Sequence, residues 1–159
     1  RKNRALYDSI LLYRKAESDM ETAARLVPEE KLDREGKIYR RLCELMQNEK
    51  IYKDTELNRD ILSKRIGTNT VYITNAVRKY ADGATINEFI NGYRLRHAAS
   101  LLTNNPDLNI NEVEYRSGFN SRATFNRCFR AFFGMSPSEY KAVSKEKKKT
   151  QKGLSDEEV

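Results

Sequence analysis

Turn-forming and metal-binding residues are scarce in this chain. It has seven glycines and three prolines in 159 residues, so few points demand a turn and long stretches are free to carry helical spacing. The two cysteines, Cys43 and Cys128, lie far apart with no C-x-x-C, so neither a disulfide framework nor a zinc knuckle is indicated, and a reducing cytosol fits. With His97 as the single histidine, a zinc finger is excluded and His-based catalysis is disfavoured. No apolar run approaches the ~18 residues that a membrane-spanning helix needs. There is no P-loop, no G-x-G-x-x-G, and no His/Cys/carboxylate cluster at metal-ligand spacing. No catalytic residue, metal site, cofactor or small-molecule ligand is therefore expected. Carboxylates such as Glu112 and Glu114 are read first as helix-surface residues.

Charge is what the chain has in quantity. Charged residues make up 33% against 38% hydrophobic, with a net charge of +7 and a pI near 9.4. Such a balance points to a polyanionic partner and says nothing about fold. The excess is local. Arg1 to Gly36 carries eight basic and eight acidic residues, whereas Lys37 to Thr150 carries 21 basic and 12 acidic, net +9.

The apolar spacing predicts an all-α protein. Leu6, Ile10, Tyr13, Glu17, Met20, Ala24 and Val27 form a heptad seam with one charged position, ended at Pro28. Two readings stand for it: a coiled coil that dimerises the chain through residues 1–27, or a single amphipathic helix. The stretch "EEKLDREG" reads as a polar linker. Ile38, Leu42, Leu45 and Met46 mark the stripe of a second helix, and "KIYKDTEL" a loop. A short helix follows over Leu57 to Ile66, another begins after Asn69, and a long one covers Ile86 to Leu102 with its apolar residues on one side. A short helix over Ile110 to Ser117 precedes "SGFNSRATFNRCFRAFFGMSPSEYK". From Val143 the lysine-rich tail has little to bury and reads as disordered. The predicted organisation is residues 1–36 as N-terminal helix and linker, 37–142 as the main domain, and 143–159 as tail.

An internal duplication sits in the basic part. Gly67 and Gly118 are 51 residues apart, as are Gly83 and Gly134, Thr85 and Ser136, Glu88 and Glu139, and Phe89 and Tyr140. Within the intervening helix the offset becomes 52, pairing Ile73 with Phe125, Val77 with Phe129 and Arg78 with Arg130. Thr85-x-x-Glu88 and Ser136-x-x-Glu139 both have the capping-box spacing, the second with Pro137 at the first helical position. A short helix, a glycine turn and a second, polar-fronted helix thus occur twice, over about 55–80 and 110–133. That is the pattern of a helix-turn-helix, whose second helix enters the major groove of DNA. Apolar residues such as Phe125 and Phe129 would anchor the helix. The opposite face presents Arg122, Ala123, Asn126 and Arg127, and in the first copy Thr70, Val71, Thr74 and Asn75. Arginine can bond guanine bidentately, asparagine adenine, and Val, Thr or Ala can touch a thymine methyl, each good pair giving ~1–3 kcal/mol of discrimination. Asn69, Arg78, Lys79, Ser121, Arg130 and Lys141 are placed for phosphates.

These residues resemble the AraC/XylS-type transcription regulators. Gly118-Phe119 matches the family's Gly-Phe turn, Phe125 and Phe129 its Phe-x-x-x-Phe core, and Gly134 to Tyr140 its Gly-x-(Ser/Thr)-Pro-x-x-(Tyr/Phe) ending. "FINGYRLRHAASLL" is similar to its linker helix. The resemblance implies two helix-turn-helix subdomains joined by that helix over 86–102, both recognition helices facing successive major grooves. It also implies promoter DNA and RNA polymerase as partners. "LMQNEKIYKDTELNRDILSKRIGTN" looks most like the output domain of hybrid two-component or membrane-tethered regulators. The chain begins with Arg, as a piece of a longer cytoplasmic or membrane-tethered protein would. The alternative kept open is a protein-interaction or signal-transmitting helical module of a larger sensor. Glu114 stands where the family usually has Ala, and is expected to reach the rim or to pair with Arg122 or Arg127, since a lone buried carboxylate is costly.

Overall fold

The computed structural model describes residues 27–157; the heptad seam up to Ala24, and with it the choice between coiled coil and single helix, lies outside the described residues. Within them there is no strand, and seven α-helices follow one another. They are α1 (Arg34–Glu44), α2 (Arg59–Ile66), α3 (Thr70–Tyr80), α4 (Ile86–Asn104), α5 (Ile110–Arg116), α6 (Arg122–Phe133) and α7 (Pro137–Glu157). The chain is all-α, with two helix-turn-helix subdomains joined by a long helix. Its contacts divide into two compact units, one ending at Tyr93 and the other beginning at Arg94.

Polar side chains set where the helices start. Asn58 Oδ1 accepts from the amides of Asp60 and Ile61 at 2.9 and 3.0 Å. Asn69 Oδ1 accepts from Tyr72 N at 3.0 Å and Ser121 Oγ from Thr124 N at 3.3 Å. Each bond satisfies an amide that the first helical turn leaves without a partner. Thr85 and Glu88 form the complete capping box expected, with bonds of 2.8 and 3.1 Å. At Ser136 only the forward half is made, Glu139 N donating to Ser136 Oγ at 3.1 Å. A further complete box that the sequence reading missed, Asn109 with Glu112, opens α5 with two bonds of 2.9 Å. Its signal was in plain view as Asn-x-x-Glu after "NNPDL".

The two turns between paired helices are built alike. Gly67 and Gly118 have φ of +80° and +95°, a region that other residues enter only with strain. Across each turn an amide reaches five residues back: Thr68 N to Ser63 O at 3.1 Å, and Phe119 N to Glu114 O at 3.2 Å. This closes the helix end as a Schellman-type cap. The repeat seen in the letters is therefore a repeat of hydrogen bonds.

In the first unit, α1 lies against α3, with Leu42, Met46, Leu62, Ile73 and Val77 wholly buried. The tyrosine rings of Tyr39 and Tyr80 stack at 5.6 Å, and those of Tyr52 and Tyr93 at 5.9 Å. Three expectations need correction here. A boundary at residue 36 would cut α1, because "EEKLDREG" is not a linker: it holds a 3-10 turn (Glu29–Lys31), and Asp33 caps α1 by accepting from Gly36 N at 2.7 Å. "KIYKDTEL" holds another 3-10 turn (Ile51–Lys53), with Tyr52 and Leu57 buried. The long helix is not one-sided either. Ile86, Phe89, Ile90 and Tyr93 are buried at helical spacing, and so are Leu95, Ala98, Ala99 and Leu102, but the second stripe is out of phase with the first.

The second unit is organised around aromatic rings. Phe119 meets Phe125 at 5.1 Å, Phe125 meets Phe129 at 5.7 Å, and Phe129 meets Phe133 and Tyr140 at 4.6 and 5.5 Å. Such pairs add about 0.5–1.5 kcal/mol each beyond their buried area. The expected disorder from Val143 is also corrected: α7 runs on to Glu157. Ser144 is buried, donating to Tyr140 O at 2.9 Å and lying 3.4 Å from the Thr103 hydroxyl, and Lys148 reaches the Thr103 carbonyl. Composition argued for a solvated tail, but these anchors and the good helix propensity of Lys and Glu favour a helix.

Candidate nucleic-acid interface

Helices α3 and α6 occupy the same place in their units, and each turns one face inward. On α6, Phe125, Phe129 and Phe133 are buried, while Arg122, Ala123, Asn126, Arg127 and Arg130 are exposed. All four base-reading candidates of this helix share its open face. On α3, Ile73, Ala76 and Val77 are buried and Val71, Asn75, Arg78 and Lys79 are exposed, with Val71 at 62% an unusually open aliphatic. Thr70 and Thr74 are half-buried, and Thr74 Oγ1 donates to Thr70 O at 2.8 Å. Its oxygen and methyl remain available, but its one proton is spent on the helix. The face of α3 is thus milder than that of α6.

Among the phosphate candidates, Asn69 and Ser121 serve as helix caps and keep their own donors. Arg78 and Arg130 are exposed near the ends of their helices. Lys79 is placed differently from expectation: its ammonium pairs with Asp33, which also accepts from the Tyr80 hydroxyl at 2.6 Å. The hydrogen bond from Lys79, then those from Tyr80 and Gly36, pull the Asp33 carboxyl from 3.8 down to about 2. Lys79 and Tyr80 are each raised above their ordinary values, first by their own hydrogen bond to Asp33. No sequence pattern links positions 33 and 79, and the pair was missed for that reason. Lys141 Nζ donates to Leu108 O at 2.7 Å and lines a groove with Asn109, Ser138 and Lys145.

Tyr72 is half-buried against the core with the Arg34 guanidinium 3.8 Å above its ring. Glu114 meets its expectation. Its carboxylate accepts from Arg122 Nε at 3.4 Å, with the Glu114 side chain 14% and the Arg122 side chain 55% exposed. His97 is half-buried on α4, and Cys128 is half-buried between Phe125 and Phe129. Among the described residues no group of three or more His, Cys, Asp or Glu is placed to hold a metal ion.

A family model described as "Helix-turn-helix domain" matches residues 62–142, half of the chain. The probable transcription factor PqrA of Proteus vulgaris is 31% identical over 98 residues, covering 62% of this chain and 74% of that protein. The chain belongs to the AraC/XylS-type helix-turn-helix family.

Its relatives in this family differ greatly in size. Histidine kinase P4 of Formosa agariphila is 36% identical over 95 residues, which are 57% of this chain but 7% of the kinase. The Msm operon regulatory protein of Streptococcus mutans is 30% identical over 80 residues, 50% of this chain and 28% of that protein. The chain thus spans only a small part of these two. Among solved structures, the C-terminal domain of the response regulator AraT from Geobacillus stearothermophilus superposes with a TM-score of 0.62 at 22% identity, covering 70% of this chain and 88% of that one. The DNA-binding domain of AdpA, solved with a target DNA, gives 0.60 at 19% identity over 73% and 96%. At such identities the likeness bears on the fold. Among the described residues no helix is long and apolar enough to cross a membrane.

Proposed function

We propose that the chain is the DNA-binding output module of a transcription regulator, reading two successive major grooves with α3 and α6. DNA-binding transcription regulation is the activity of its family. The observation that carries the finer reading is the duplicated device itself. Each unit anchors one helix on a buried apolar face, caps its start, and leaves a row of short or forked hydrogen-bonding groups outward. Arg122, Ala123, Asn126 and Arg127 read bases from α6, and Thr70, Val71, Thr74 and Asn75 from α3. Arg78, Arg130, Asn69, Ser121 and Lys141 fix register on phosphates. Lys79 contributes there only when released by Asp33. Because both readers lie in one chain, a non-palindromic site can be read without a partner copy.

Within this proposal residues 34–142 form the DNA-binding module, α7 extends it, and residues 1–27 dimerise it or transmit a signal to it. RNA polymerase is the second partner at the promoter, and the module works in the cytoplasm as part of a larger sensory protein. The similarity to a segment of a histidine kinase supports that last point.

Selection of bound duplexes from a random pool, followed by anisotropy titrations, tests the reading. A preferred sequence bound roughly 10³-fold or more tighter than scrambled DNA is expected. Equal affinity for both would overturn it.

A further inference from the structure

Glu114 sits on α5, where its backbone carbonyl closes the turn to Phe119 at 3.2 Å. Its side chain is 14% exposed, and a carboxylate on a half-buried side chain is favoured by a nearby donor. That donor is Nε–H of Arg122, the first residue of α6, at 3.4 Å. Nε is the nitrogen nearest the chain. A guanidinium offers a side edge made of Nε and one terminal nitrogen, and an end edge made of both terminal nitrogens. The Glu114 bond occupies the side edge. The end edge remains, on a side chain that is 55% exposed, and two parallel donors suit O6 and N7 of a guanine.

The first unit supplies an internal comparison. Ser63 stands 51 residues before Glu114 and closes the equivalent turn, Thr68 N donating to Ser63 O at 3.1 Å. Its hydroxyl turns inward to bond the Thr68 carbonyl, and the recognition helix beyond begins with Thr70. The turn therefore closes without a carboxylate. The carboxylate occurs in the unit whose recognition helix opens with an arginine.

We propose that Glu114 is a positioning residue for sequence readout: it holds the Arg122 guanidinium so that its end edge meets one guanine. This rests on the DNA-reading function proposed above. An arginine already oriented before DNA arrives loses less rotamer freedom on binding, and one orientation discriminates more sharply between base pairs than a freely rotating cation.

The experiment compares the full chain with Glu114→Ala, Glu114→Gln, Arg122→Ala and the double variant Glu114→Ala/Arg122→Ala. Base preference is measured at every position of the selected site, at fixed salt. Arg122→Ala should abolish preference for guanine at one base pair. Glu114→Ala should weaken preference by about three- to tenfold at that same base pair and leave the others unchanged. Glu114→Gln, whose amide oxygen still accepts, should retain part of it, and the double variant should be no worse there than Arg122→Ala. Affinity for random DNA should not fall, since an anion has been removed. Unchanged preference in Glu114→Ala, or an equal weakening for every sequence, would overturn the proposal. So would an Arg122→Ala profile identical to wild type. If wild type itself shows no preference, the reading function fails first and the positioning role falls with it.

Discussion

At the scale of single residues, Asp33 shows what a sequence conceals. It caps α1, pairs with Lys79 and accepts from Tyr80, joining the start of one helix to the end of another. Its carboxyl titrates at about 2 in the folded chain against 3.8 ordinarily. A folded value below the unfolded one means that the charged form is favoured by folding, so the stabilisation is present above 3.8 and lost as pH falls toward about 2. Lys79 and Tyr80 are shifted upward, so their share is present below their ordinary values and is lost as pH rises through the folded ones. Asp33→Asn should therefore lower the melting temperature at neutral pH by a small amount, as befits an exposed pair, and the gap from wild type should close between 3.8 and about 2. A gap that stays constant across that range would mean that the charge is irrelevant.

At the scale of elements, patterning made the helices legible. Apolar residues at helical spacing with glycines behind them marked α2, α3, α5 and α6, and the ends expected for α2 and α5 lie within two residues of those observed. Phe129 touches three aromatic neighbours and is wholly buried. Phe129→Ala should cost ~3–5 kcal/mol in urea unfolding, and Asn109→Ala, which removes one cap, ~0.5–2 kcal/mol. A loss for Phe129→Ala no larger than for Asn109→Ala would contradict the aromatic core. What was illegible depends on contacts distant in sequence. Val143 onward reads as solvated because its anchor is a serine, and only the structure shows Ser144 buried beside Thr103. Amides of residues 143–148 should therefore exchange slowly with deuterium, with protection declining beyond. Exchange at the rate of an unfolded peptide throughout would show that α7 ends near Tyr140.

For the whole molecule, the duplication and the net +9 over residues 37–150 were open to reading from the letters, and they carry most of the functional argument. The polar face of each recognition helix could be assigned because its opposite face was visibly apolar. Which cations are available for phosphate could not be assigned, because that depends on which carboxylates fold against them. Two neighbours on α3 separate these effects. Arg78 is exposed, whereas Lys79 is held by Asp33. Each phosphate neutralised by the protein releases counterions, so log affinity falls with log salt by about 0.9 per contact on duplex DNA. Arg78→Ala should weaken binding to selected and random duplexes alike and make the salt slope shallower by about 0.9. Lys79→Ala should change that slope much less, because its charge is already balanced within the fold. Arg127→Ala should leave the slope nearly intact while relaxing preference at one base pair by ~1–3 kcal/mol. Titrations at four or five salt concentrations measure all three. Equal slope changes for Arg78→Ala and Lys79→Ala would mean that DNA competes Asp33 away from Lys79 at little cost, making the pair a reserve of positive charge.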